Sequence, residues 1–252
     1  MQGSQGPLPL TQTVKWLIGI NLAIWLFGVL IFQRLVLHSD ILFQYFGMVP
    51  AQVLHHFWIW QPFTYMFLHS TSPMHVLLNM MILWWFGSEL EAQWGRAFFL
   101  LYYLVCGVGA AFIYVAGVSL YGLMANDYLP LAEPVVGASG AVYGLLVAYG
   151  IIFSERVIYF MMLFPMKAKH FVWIMGLIEF ATLLDSGMSS GVANLAHLGG
   201  ILSGYLFLVF WTKWRPRFQR STTTSRRGRK LKLVVNNEKS TFGGKNGPKY
   251  WN

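Results

Sequence analysis

The sequence predicts an all-α membrane protein, a bundle of six transmembrane helices with a large, partly embedded first loop. Three observations point there. Of 252 residues, 56% are hydrophobic and only 11% are charged, whereas a soluble domain is about a quarter charged. The mean hydropathy is +0.52. Uncharged apolar runs recur at lengths near the ~20 residues that cross a ~30 Å hydrocarbon core. Together these exclude a disordered chain, a collagen, a coiled coil and an ordinary cytosolic enzyme. The single cysteine, Cys106, excludes an intrachain disulfide and any multi-cysteine zinc site.

The predicted spans are 14–32, 74–86 with a few flanking residues, 97–118, 137–153, 171–184 and 192–211. The first reads as a span rather than a signal peptide, because only Lys15 precedes it closely and no small-x-small site follows. Between the first two spans, residues 33–73 are rich in Trp, Phe and Tyr and almost uncharged. Such composition favours the interface, and an irregular backbone there needs protein or water to satisfy it. Residues 129–134 hold two prolines and suit an extended loop; residues 185–191, DSGMSSG, read as a turn-like link. No internal repeat is visible.

Charge divides the chain into three parts: a short cytoplasmic N-terminus at 1–13, a core at 14–212, and a basic tail at 213–252. Twelve of the eighteen Lys and Arg lie in the tail beside one acid, Glu238, so the tail carries +11 and the rest −2. The tail is poor in apolar residues and is expected to be disordered. An even number of spans puts both ends on one side. That side then holds 17 of the 18 basic residues, leaving Arg34 opposite, so both termini are expected in the cytoplasm. The tail suits contact with anionic lipids, and no nucleic-acid partner is expected.

Polar groups inside spans are costly and point to function. Ser139 lies in Gly137-Ala138-Ser139-Gly140. Taken alone it is either a small packing residue or a nucleophile. The apolar helix that it opens, 139–153, is about 22 Å long in a core of about 30 Å. Ser139 is then expected beneath the outer surface, at a helix N-terminus whose free N–H groups and positive dipole end can hold an oxyanion. His197 falls at a similar depth, and on its own is either a base or a packing histidine. Gly140, Gly144 and Ala148 form a stripe of small residues, as do Ala196, Gly200 and Gly204. Stripes of this kind let helices approach closely, which can bring Ser139 and His197 together. No Lys lies inside the fourth to sixth spans. With Asp127 and Asp185 assigned to loops, no acid is placed beside His197 in the outer half of a span, so a Ser–His dyad is more economical than a triad. His75 and Asn79 share one helix face at i, i+4. They are either oxyanion donors or a hydrogen bond that fastens helices.

The set resembles the rhomboid family of intramembrane serine proteases. That family shows His-x-x-x-Asn in its second helix, Gly-x-Ser-Gly opening its fourth and Ala-His-x-x-Gly-x-x-x-Gly in its sixth. Here stand His75-x-x-x-Asn79, Gly137-Ala138-Ser139-Gly140 and Ala196-His197-x-x-Gly200-x-x-x-Gly204, in that order. The resemblance covers roughly residues 14–211. It implies a rhomboid-like bundle, with Ser139 as nucleophile, His197 as general base, His75 and Asn79 as oxyanion donors, and Gly137 as active-site support. Tyr143 matches a tyrosine that stacks near the family's catalytic histidine, and His69 a histidine of its first loop. Many members carry Trp-Arg in that loop where this chain has Trp60-Gln61, which puts the loop's ionic contacts in doubt.

The implied activity is hydrolysis of peptide bonds in or near transmembrane segments of membrane proteins. No cofactor and no metal are called for: His-Glu-x-x-His is absent from the sequence, as are paired aspartates within spans. The partners implied are transmembrane substrates and the bilayer, and the compact core suits a bacterial inner membrane. An inactive rhomboid-like binding factor and a small transporter are the alternatives.

Overall fold

The computed structural model describes residues 10–160, 164–190 and 192–221. The chain divides into two compact units, Met1–Lys213 and Trp214–Asn252. Of the second, little beyond helical backbone to Ser221 is described, so the predicted disordered tail lies almost wholly outside the described residues.

Helix α1, Gln12–Ala23, continues as a more loosely wound π-helix over Ile24–Val36. Its first amides are capped from a distance. Glu91 accepts hydrogen bonds from the Thr13 N–H (3.0 Å) and the Val14 N–H (3.0 Å), groups that a helix start leaves without partners. The next stretch is far more helical than the sequence suggests. It holds α2 (Ile41–Phe46), α3 (Pro50–His56), α4 (Gln61–Thr64) and a 3-10 turn at Tyr65–Phe67. Pro50 and Pro62 explain two of these, since proline's fixed φ suits a first helical turn. Buried Gln61 knits the pieces together: its Oε1 accepts from the Val49 N–H (3.0 Å) and its Nε2 donates to the Gln44 carbonyl (2.8 Å). Neutral hydrogen bonds thus stand where the family's Trp-Arg would offer a charge.

Helix α5 (Pro73–Ile82), a π-helical turn at Leu83–Gly87 and α6 (Ser88–Trp94) run on without a break, extending the predicted span at 74–86 and its few flanking residues as far as Trp94. Gly95, at φ +80°, turns the chain into α7 (Arg96–Ala125). Helix α8 (Ser139–Ile152) has 14 residues and sits at the centre. Every residue from Gly140 to Gly150 is buried. Tyr102 of α7 donates to the Gly144 carbonyl (2.8 Å) and Tyr65 to the Gly107 carbonyl (2.7 Å). Helices α9 (Ala168–Ser190) and α10 (Val192–Ser221) complete the order.

Among the described residues, three helices are long and apolar enough to cross a membrane: Gln12–Val36, Arg96–Ala125 and Ala193–Trp214. The described residues are mostly helical, with several apolar candidate spans.

Two local expectations are corrected. Residues 185–190 are not a turn but the last part of α9, leaving only Gly191, outside the described residues, before α10. Gly, Ser and Asp lose only a fraction of a kcal/mol to about 1 kcal/mol each in a helix, and context overrides that. The connection from α8 to α9 is a β-hairpin, an exception to the all-α class. Strand β1 (Val157–Phe160) pairs antiparallel with β2 (Phe164–Lys167), Val157 opposite Lys167. A lone two-stranded hairpin is marginal in isolation. This one is anchored by the buried Ile158 side chain and by the Ala168 N–H bonding to the Arg156 carbonyl (2.8 Å).

Candidate active site

The two small-residue stripes meet. A methyl placed on Gly204 would lie 3.1 Å from the Gly144 Cα, and one on Gly144 would lie 3.3 Å from the Gly200 carbonyl oxygen. A methyl on Gly200 would strike the Gly140 backbone itself. Only hydrogen fits at these crossings, so α8 and α10 touch backbone to backbone.

That contact fixes the neighbouring side chains. Ser139 Oγ lies 2.8 Å from His197 Nε2. Tyr143, one turn further along α8, stacks on the imidazole with ring centroids 4.5 Å apart and planes 15° apart. Ser139 opens α8, so its amide is among those with no acceptor inside the helix.

His75 stands on the other side of the serine. The Ser70 N–H donates to His75 Nδ1 (3.2 Å), and Ser70 Oγ is 2.9 Å from the same atom. An Nδ1 that accepts leaves the ring hydrogen on Nε2. Nε2 borders the space beside Gly137: a methyl built there would lie 3.0 Å from it and 3.5 Å from Ser139 Oγ. Gly137 has φ +135°, a conformation that side chains resist. Glycine therefore both makes the turn and keeps the gap between His75 and Ser139 open. Asn79 is buried one turn along, its amide donating to the His75 carbonyl (2.9 Å). His69, wholly buried, lies with its ring 5.2 Å from that of His75, and neither of its nitrogens finds a partner among the described residues.

These groups border a cavity of about 560 Å³, which His75, Asn79, Ser139 and His197 share with apolar neighbours such as Trp85 and Met175. Among the described residues no cluster suited to a metal ion occurs.

One participant escapes the sequence reading. Glu179 of α9 lies beside His197, its Oε2 2.9 Å from His197 Nδ1, while its Oε1 accepts a hydrogen bond from the Tyr143 hydroxyl. The expectation that no acid stands beside His197 is thus corrected. The signal was available: Glu179 is the single carboxylate in the apolar run 171–184. It is missed because the search for an acid stops at the loops.

Comparison with known proteins agrees with the motifs. The Rhomboid domain matches residues 56–214. The chain is 30% identical over 212 residues to the putative rhomboid protease YdcA of Bacillus subtilis, covering 82% of this chain and 92% of that one. It is 28% identical over 215 residues to rhomboid protease AarA of Providencia stuartii, covering 82% and 73%. It is 32% identical over 169 residues to RHOMBOID-like protein 1 of Arabidopsis thaliana, covering 67% of this chain but only 38% of the plant protein's length. With the domain matching more than half of its length, this chain belongs to the rhomboid family and is an integral membrane protein.

Proposed function

We propose that this protein is an intramembrane serine endopeptidase that cuts peptide bonds in or near transmembrane segments of other membrane proteins. The observation that carries this reading is the 2.8 Å contact between Ser139 Oγ and His197 Nε2 at the head of α8. A serine hydroxyl attacks only when a base takes its proton. Here His197 Nε2 accepts the Oγ proton as Oγ bonds to the scissile carbonyl carbon. The negative charge that develops on the carbonyl oxygen is met by His75 Nε2–H and the Ser139 N–H, with the Asn79 amide one turn away. His197 then returns the proton to the leaving amine, the C–N bond breaks, and an acyl-enzyme remains. Water, deprotonated by His197, releases the second product. A substrate helix must unwind for its carbonyl to reach the cavity, which favours glycine or proline near the cut.

In the same proposal the six long helical segments are six spans, residues 14–212 are the protease core, and residues 1–13 and 213–252 face the cytoplasm of a bacterial inner membrane. The grouping of Arg96 and Arg156 around Glu91 and Glu89 supports that sidedness. The basic tail would add contact with anionic lipid headgroups.

Purified protein incubated with a transmembrane reporter is expected to cut it. Ser139→Ala and His197→Ala are expected to lose at least about 10³-fold in rate. A fluorophosphonate should label Ser139. Equal product from all three proteins would end the protease reading and leave a client-binding relative.

A further inference from the structure

The carboxylate of Glu179 has a role that the Ser–His pair alone leaves empty. Its side chain is 11% exposed and that of His197 17%. An acid on an apolar helix is retained only where something compensates its charge. Yet among the described residues no lysine or arginine pairs with it; its partners are the His197 ring and the Tyr143 hydroxyl. A carboxylate held by an imidazole and a hydroxyl is placed to meet a cation that appears later. His197 becomes that cation when it takes the Ser139 proton.

We infer that Glu179 is a positioning residue for His197, completing a Ser139–His197–Glu179 chain. This rests on the protease reading above. Two constraints act on the imidazole. Stacking on Tyr143 fixes the plane of the ring. The bond from Nδ1–H to Glu179 Oε2 fixes its rotation within that plane and its tautomer, leaving the Nε2 lone pair facing Ser139 Oγ. Tyr143, by donating to the other oxygen, holds the carboxylate itself in place. No bond to Glu179 forms or breaks. The serine proton travels only to Nε2 and on to the leaving amine, and the carboxylate stabilises the imidazolium between those transfers. The charged and polar groups facing the ring are Ser139 and Tyr143 from α8, Glu179 from α9 and, across the serine, His75 from α5.

The experiment compares wild type, Glu179→Gln and Glu179→Asp on the transmembrane reporter, with rates counted per folded molecule from the size-exclusion peak. Glutamine keeps the shape and can still accept from Nδ1–H, but lacks the charge. It is expected to lower kcat by about ten- to hundredfold, with KM within about twofold of wild type. Aspartate retains the charge at a shorter reach and is expected to recover several-fold over glutamine. A merely structural contact predicts otherwise: Gln, the closer isostere, would match wild type, and Asp would be the worse variant. Either wild-type kcat in Glu179→Gln or a lower kcat in Asp than in Gln overturns the inference. In that case a wild type that still cuts, and a Ser139→Ala that does not, leave the protease reading standing. A wild type that neither cuts nor takes a fluorophosphonate removes both.

Discussion

The two ends of α8 carry the same kinds of group in different company. At one end, Tyr149 donates to Glu89 (3.2 Å) and accepts from Arg156 (3.2 Å), and Arg156 also pairs with Glu89 directly. At the other, Tyr143 donates to Glu179, and Glu179 meets His197. Each end is a tyrosine of α8, a buried glutamate and a basic residue. The first basic residue is an arginine, charged at every accessible pH. Its carboxylate is compensated at all times, and the trio only fastens α6 to α8 and the start of β1. The second is a histidine, which can gain and lose a proton. In the proposed mechanism, that difference in the basic residue separates a fixed fastening from a group that can pass a proton to and from Ser139.

The sharpest break of this comparison lies at the serine end. Gly137→Ala would put a methyl between His75 Nε2 and Ser139 Oγ, at a backbone angle that alanine resists. It is expected to cut activity by at least about 10²-fold, the scale of a lost oxyanion donor, as read by cleavage of the reporter. Wild-type activity in that variant would mean the charge develops elsewhere. At the other end the expected effect moves from rate to stability. Arg156→Gln strips Glu89, whose side chain is 7% exposed, of its cation. A fully buried pair broken in this way costs about 3–5 kcal/mol. Because the Arg156 side chain is 41% exposed, about 1–3 kcal/mol is expected here, measured by denaturant or thermal unfolding in detergent, with kcat per folded molecule unchanged. A fall in kcat at unaltered stability would erase the distinction between the two ends. The smallest effect belongs to Glu155, just beyond α8. Hydrogen bonds from Lys167 and Lys169 hold its carboxyl down at about 2. A carboxyl depressed in the fold adds stability above the ordinary carboxylate range and loses it as pH falls toward that lowered value. The group is open to solvent, so the contribution is screened. Glu155→Gln is expected to lower the melting temperature only slightly near neutrality, by a difference that shrinks as pH falls and is gone below about pH 2.

Much of the site is legible because its residue types are expensive where they stand. Ser139, His197, His75 and Asn79 stand out against apolar runs, and the glycine stripes announce the helix crossing that joins the first two. Glu179 was equally exceptional in its run; reading it needed the assumption that a span could carry the acid. The hairpin at β1 and β2 could not be read. Residues 157–167 are apolar almost throughout, and such a run suits a span, a strand or an interfacial loop alike. The short helices α2 to α4 were hidden for a related reason: pieces of four to seven residues offer too few turns for a period to show. The tie between Glu91 and the first turn of α1 joins residues 77 positions or more apart, and no local pattern announces such a bond.

That last tie bears on how the protein can be handled. Thr11, Thr13 and Val14 supply the donors around Glu91, although all three precede the matched Rhomboid domain, which begins at residue 56. A version trimmed to the domain boundary would take every one of these donors from a carboxylate that is 4% exposed in the whole protein, and leave it the longer contact with Arg96, at 3.9 Å. Affinity tags and fusion partners are better joined ahead of Thr11 than in its place.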